Sequence, residues 1–292
     1  LMRPESPVSP SAGEEAFLPW SKYSTHQYKM QNALDHGAVG VLYHYGPLVN
    51  TNNDYHEGLI NSLVGSHVVN DLFEGSGKVY SKLVDEIKDN LEPRSFALGK
   101  SVSIKNSTVH FPDGKGNNVL ALLEGSDPEL KNEVIIIGAH LDHVGACYEV
   151  CPGAQDNASG IAAMYGVAKA LMESGVELKR SVLFVGFGAE EQGLTGSKHY
   201  VENPVYPLDK TVCLLNLDCV GIGPNFHAGA GQNYPEIFSA VKRANDRYIH
   251  RKLSSSFSSN LGRPRSDASI FMRAGVPALS FSSNGGKGYY HN

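Results

Sequence analysis

The sequence contains no apolar run of about 18 residues, the length a bilayer-crossing helix needs, so no transmembrane segment is expected. It has no basic excess either. Its 25 Lys and Arg stand against 30 Asp and Glu, a formal net charge of −5, which leaves no electrostatic footprint for nucleic acid. The stretch Leu1–Gly13 is polar and rich in proline where an apolar h-region would sit, so no signal peptide is expected. Cysteine is scarce, and none of the 4 cysteines forms a Cys-x-x-Cys pair, which argues against a thiolate zinc site. Cys147 and Cys151 share one short loop, where a disulfide and free thiols are both compatible with the spacing. Cys213 and Cys219 bracket an expected strand. There is no internal repeat, and no signal for oligomeric state.

What is present is a globular composition, 41% hydrophobic and 19% charged over 292 residues, long enough for one large domain or two. Two regions differ in character, and a division into 1–97 and 98–292 is expected. In the first, a helical pattern through Tyr28, Met30, Ala33 and Leu34 ends at Gly37, and Gly37–Tyr43 reads as a buried strand. An apolar run from Leu63 to Val69 precedes a further helical stretch through Leu72, Val84 and Ile87. This is a small α/β unit without a catalytic constellation.

The second region alternates strand and helix. Val134–Ile137 is a continuous β-branched run, as a central parallel strand covered on both faces requires. A helix over Ile161–Met172 follows, with Asn157 or Ser159 near its N-cap. Strands are expected at Val182–Phe187, Val212–Leu217 and Ala278–Phe281, with helices through Ile237, Val241 and Ala244 and over Ala268–Arg273. The fold class expected is α/β, a doubly wound, mostly parallel sheet with helices on both faces.

Ligands of such sheets bind beyond the carboxyl ends of the strands. There the sequence concentrates imidazoles and carboxylates: His140, Asp142 and His143 after the first strand, Glu190 and Glu191 after the next, and Asp218 after the third. Asp156 precedes a helix, and His291 lies in a glycine-rich loop beyond the last strand. One such residue is commonly a cap or a surface charge. Their recurrence at successive strand ends points to a metal site built from nitrogen and oxygen ligands, the donor set of zinc. Glu190 and Glu191 are adjacent, so in an extended backbone they would face opposite ways, one toward metal and one toward water.

These stretches resemble the co-catalytic zinc aminopeptidases, a family that also holds glutamate carboxypeptidases and the inactive transferrin-receptor ectodomain. The resemblance is carried by Gly138–Gly145 (GAHLDHVG), Asp156–Gly160 (DNASG), Glu190-Glu191, Asn216–Asp218, Ser266-Asp267, Ala274–Ala278 and Tyr290-His291. It implies two zinc ions bridged by Asp156, with His140 and Asp218 completing one site and Glu191 and His291 the other. Asp142 would orient the His140 ring, Glu190 would serve as general base toward a metal-activated water, and Tyr290 would hydrogen-bond the oxyanion. His143 falls outside that ligand set and reads as structural or as pocket wall. Gln155 stands where many relatives carry an acid, a change not expected to affect metal binding.

The implied activity is hydrolysis of a terminal peptide bond, with a peptide as substrate, an aminopeptidase before a carboxypeptidase or dipeptidase. A glutaminyl cyclase-type acyltransferase and an inactive interaction module are the readings that follow. Arg263, Arg265 and Arg273 are candidates to receive a substrate carboxylate if the direction is that of a carboxypeptidase. The N-terminal region is similar to the later part of a protease-associated domain, through Lys29–Ala33 and Gly37–Val41, and implies a lid-like insert. An extracytoplasmic location follows from the same resemblance. The chain starts at Leu1 rather than Met and ends just after His291, so it is expected to be part of a longer protein.

Overall fold

In the computed structural model, which describes residues 7–8, 14–44, 55–107, 109–146, 150–258 and 265–286, the chain separates into two units, Leu1–Asp113 and Gly114–Asn292. The division falls later than residue 97. Residues 91–107 form neither helix nor strand, so no periodicity in the sequence marks the boundary.

The first unit contains α1 (Glu14–Ser21), α2 (His26–Asp35), β1 (Gly40–Tyr43), β2 (Ile60–Leu63), α3 (Ser66–Phe73) and α4 (Tyr80–Asn90). The Thr25 hydroxyl accepts the Tyr28 N–H at 3.3 Å and caps α2. Gly37, at φ +81°, turns the chain out of that helix toward β1, which pairs in parallel with β2. Met30, Val41, Tyr43 and Leu59 form the buried core here. The single helical stretch expected through Leu72, Val84 and Ile87 is two helices. Gly75 and Gly77 both adopt positive φ between them, a conformation that ends α3 before α4 begins.

The second unit runs β3 (Val119–Leu123), β4 (Val134–His140), α5 (Ser159–Glu173), β5 (Ser181–Phe187), α6 (Thr195–Glu202), β6 (Thr211–Leu217), β7 (Asn225–Gly229), α7 (Pro235–Ala244), β8 (Lys252–Ser255), α8 (Asp267–Arg273) and β9 (Ala278–Asn284). Its seven strands form one sheet in the order β3-β5-β4-β6-β9-β7-β8. The four central strands, β5, β4, β6 and β9, are mutually parallel, while β3 and β7 run antiparallel to their neighbours β5 and β9. The expected mostly parallel α/β sheet is thus observed. Strands β3, β7 and β8 were not expected. They lie toward the edges, where half-exposed residues such as those of β3 (VLALL) or β8 (KLSS) carry little of the β-branched signal.

Alternation along the central strands fills both faces. Val134 and Ile136 of β4, with Leu183, Val185 and Phe187 of β5, pack against Tyr200 of α6 and Ala268, Phe271 and Met272 of α8. Ile137, Val182 and Phe184 point the other way, against Met164, Ala168 and Leu171 of α5. Each large apolar side chain so buried contributes about 1.5–3 kcal/mol. Ile136 and Phe187 are fully buried, so the strand ends that carry the site are anchored in the most rigid part of this unit. Gly138 is where these strands meet most tightly, since a Cβ there would lie 2.6 Å from the Phe187 ring.

Candidate metal centre

Strand β4 ends on His140, which is 1% exposed. Its Nδ1 lies 3.0 Å from the backbone oxygen of Asp142, an acceptor that places the proton on Nδ1 and turns Nε2 toward the carboxylates. Nε2 stands 2.9 Å from Asp156 Oδ1 and 3.6 Å from Asp218 Oδ1. Burial works against the imidazolium, but hydrogen bonds to Asp156 and Asp218 overcome it and push the His140 pKa up to about 12. These carboxylates attract a cation strongly enough to hold a proton there.

A second group adjoins the first. His143 Nδ1 lies 2.9 Å from Glu191 Oε1, and both converge with Asp156. In each of the two groups, His140 with Asp156 and Asp218 and His143 with Asp156 and Glu191, the ligand atoms lie within 4.8 Å of one another. Asp156 belongs to both. His143, read from the sequence as structural or pocket wall, therefore stands among the clustered donors. Its place follows from the irregular segment after β4, which brings the imidazoles of both His140 and His143 within reach of Asp156. Tyr290 and His291 lie outside the described residues, as do Cys147 and Arg263.

The Glu190-Glu191 pair departs from the expected extended backbone. The segment is a turn, with Glu190 O accepting the N–H of Gly193 at 2.9 Å and of Leu194 at 2.7 Å. Asp142 holds the backbone of this turn. Its carboxylate accepts the N–H of Glu190 at 2.9 Å and of Glu191 at 3.1 Å, holding both amides to one side. The Asp142 carboxylate itself is 3.8 Å from His140 Nδ1, so the ring is oriented by the Asp142 carbonyl rather than by its side chain. Glu190 faces the cavity. Burial above all raises its carboxyl to about 9, His140 opposes this, and Asp267, Asp218 and Glu191 add to it.

The loop that presents Asp156 is bolted to the end of β6 by Gln155, Asn157 and Ser159, whose bonds to that strand's end the sequence did not reveal. Gln155 Nε2 donates to Cys219 O at 2.7 Å, and Gln155 Oε1 accepts Gly221 N–H at 3.1 Å. Asn157 Nδ2 donates to Leu217 O at 2.9 Å, and its Oδ1 accepts the N–H of Gly160 at 3.0 Å and of Cys219 at 3.2 Å. Ser159 Oγ accepts Val220 N–H at 3.0 Å. The N-cap position of α5 is Ala158, between the two residues expected there, and the Asn157 side chain one residue earlier accepts the Gly160 N–H. Because Asp218 lies within 217–221, this ladder fixes Asp156 against Asp218. Gly160 permits the approach, since a Cβ there would collide with the Leu217 carbonyl oxygen and the Asn157 side chain. The signal available in the sequence was the run of amide and hydroxyl side chains at 155, 157 and 159, alternating around the carboxylate. Asp267, buried at the start of α8, is pushed up to about 7, first by burial and then by the charges of Asp218 and Asp142, with the nearby Ser197 side chain and the charge of His140 acting the other way.

A cavity of about 260 Å³ opens over this constellation. It is lined by His140, Asp156, Glu190 and Asp218 together with Cys219, Arg265, Ser266, Ser280 and Ser282. The donor set fits zinc, because each group offers imidazole nitrogen and carboxylate oxygen without thiolate. The described ion pairs of Asp156, Asp218 and Glu191 are with histidines. Converging buried carboxylates cost several kcal/mol each unless a cation compensates them.

A fold and a site of this kind define a metallopeptidase-like α/β unit, and the sequence comparisons agree with that class. Residues 118–292 match peptidase family M28, and the chain belongs to that family. It is 32% identical over 201 residues to leupeptin-inactivating enzyme 1 of Streptomyces exfoliatus, covering 68% of this chain and 41% of that protein. It is 30% identical over 261 residues to an aminopeptidase of Pseudomonas aeruginosa, covering 86% of this chain and 44% of that one. The chain thus spans less than half the length of these relatives. BSAP, a zinc aminopeptidase from Bacillus subtilis, shares the fold, with a TM-score of 0.60 at 20% identity over 88% of this chain and 56% of that structure. No helix among the described residues is long and apolar enough to cross a membrane.

Proposed function

We propose that this chain carries the catalytic centre of a two-zinc exopeptidase that acts on peptides, most simply as an aminopeptidase. The observation that carries this reading is the pair of donor groups sharing Asp156. His140 and Asp218 would hold one ion, Glu191 the other, with Asp156 common to both and His291 completing the second set by family resemblance. Bound there, zinc supplies Lewis acidity to a water and to the scissile carbonyl oxygen.

The chain's own residues do the rest. Glu190 Oε accepts a proton from the attacking water and returns it to the departing amine nitrogen. Burial raises its carboxyl, and cations held by Asp218 and Glu191 would lower it toward the carboxylate that accepts the proton. Asp142 fixes the backbone from which Glu190 and Glu191 project. Tyr290 is retained as the donor to the oxyanion. Two names of relatives, the Pseudomonas aeruginosa aminopeptidase and leucine aminopeptidase 2 of Trichophyton equinum, support amino-terminal cleavage.

We further read the unit Leu1–Asp113 as related to a protease-associated domain and the location as extracytoplasmic. Support for the first is the small α/β unit around the parallel pair β1–β2. The test of the central reading is zinc stoichiometry by mass spectrometry together with hydrolysis of aminoacyl anilides. About two zinc ions per chain and turnover, both lost in Asp156→Ala with the fold retained, are expected. Folded protein that binds no zinc and cleaves no peptide would overturn it.

A further inference from the structure

Apart from its imidazole and carboxylates, the described lining of the cavity is made of small polar side chains and one arginine. Strand β9 alternates, sending Leu279 and Phe281 into the core and leaving Ser280 and Ser282 on the cavity side. Ser266 and Cys219 line the same cavity. Among the described lining residues there is no aliphatic or aromatic side chain. A lining of small hydroxyls offers little apolar area to a leucine-like side chain, whose binding scales with the area removed from water.

Arg265, exposed, belongs to the same lining just before the start of α8. It is the one cation other than histidine among the described lining residues, and it makes no ion pair with a described residue. Arg273, the other described arginine considered from the sequence, is exposed at the far end of α8 and does not line the cavity. The cavity is therefore electrically polarised. Asp156, Asp218 and Glu190 offer carboxylates to cations, metal or ammonium, and Arg265 adds a guanidinium to the lining of the same cavity. Guanidinium is the group that best matches a carboxylate, through two parallel N–H···O bonds.

We propose that Arg265 is a specificity residue that selects substrates carrying a carboxylate next to the scissile bond. This deepens the exopeptidase reading and rests on it. The carboxylate has two sources, the side chain of an amino-terminal aspartate or glutamate, or the free terminus of a short peptide.

The test compares kcat/KM of the zinc-loaded protein for glutamyl, aspartyl and leucyl anilides, and for dipeptides with free and amidated C-termini. In Arg265→Ala the acidic-over-leucyl ratio is expected to fall about fivefold, the size of an exposed charge pair. Arg265→Lys should retain part of the preference, because the charge survives without the fork. If the free terminus is the partner, the free-over-amidated ratio falls instead. Either ratio should also shrink with added salt in the unaltered protein and not in Arg265→Ala. Unchanged ratios in Arg265→Ala would overturn the proposal. Should no peptide be cleaved, the exopeptidase reading fails separately, and calorimetry still decides the role of Arg265. Binding of free L-glutamate or L-leucine that weakens in Arg265→Ala supports it, a larger loss for glutamate pointing to the side-chain source; binding of both unchanged in Arg265→Ala removes it.

Discussion

The carboxylate of Asp142 grips the backbone of Glu190, accepting its N–H at 2.9 Å, and takes the Glu191 N–H at 3.1 Å with its second oxygen. Asp142 thus acts on the proposed base and on a proposed ligand through their main chain. Asp142→Asn keeps the shape but replaces one acceptor by an NH2 group facing an N–H donor. Hydrolysis should fall by about 10–100-fold, as when other groups supporting a metal ligand are altered. Circular dichroism should stay unchanged, since the bonds lost lie at one turn. A variant with full activity would show that the turn holds without this clamp.

Gln155 makes a paired contact that an acid cannot reproduce. Its amide donates to Cys219 O at 2.7 Å while its carbonyl accepts from Gly221 N at 3.1 Å. In Gln155→Glu a carboxylate oxygen would face the Cys219 carbonyl, leaving an acceptor against an acceptor. The expected cost is about 1–3 kcal/mol, read as a lower midpoint in urea unfolding. Zinc affinity should fall with it, because the same ladder aligns Asp156 with Asp218. Gln155→Glu equal to the parent in both measurements would contradict this account.

Much of this was legible in the sequence, for identifiable reasons. The continuous apolar runs at Val134, Val182 and Val212 announced central strands, and the strand ends displayed His140, Glu190, Glu191 and Asp218 at once. Side chains that bind through hydrogen bonds to distant backbone were not legible. Gln155 and Asn157 stood out as a family position and an expected helix cap, but their bonds to the backbone after β6 show only when β6 is placed beside them. His143 shows the same limit, since periodicity does not tell which way a side chain turns after a strand ends. The turn at Glu190 was misread because adjacency suggested an extended backbone, whereas a carboxylate 48 residues earlier in the chain sets its shape.

Gly160 allows the start of α5 to touch the end of β6. A Cβ at 160 would enter the space of the Leu217 carbonyl oxygen and of the Asn157 amide that accepts the Gly160 N–H. Gly→Ala within a helix ordinarily stabilises by up to about 1 kcal/mol. Here the sign should reverse, with Gly160→Ala destabilised by about 1–3 kcal/mol through overpacking. Gly166, in the same helix with nothing within 4 Å of an added Cβ, supplies the control, and Gly166→Ala should be neutral or stabilised. Urea unfolding of the two variants side by side distinguishes the steric account from helix propensity.

His143 gives the most direct test of how the second donor group is built. Its Nδ1 lies 2.9 Å from Glu191 Oε1, and with Asp156 the three ligand atoms converge as tightly as those around His140. If its imidazole helps hold the second ion, His143→Ala should weaken one of the two zinc-binding events by about 10–100-fold in a chelator competition titration and leave the other in place. His140→Ala should weaken the complementary event. The two histidines share Asp156 between their donor groups, so their effects should not add in the double variant. Retention of both binding events at parental affinity in His143→Ala, with hydrolysis unchanged, would return that residue to the wall of the pocket and leave the second ion to Asp156, Glu191 and His291.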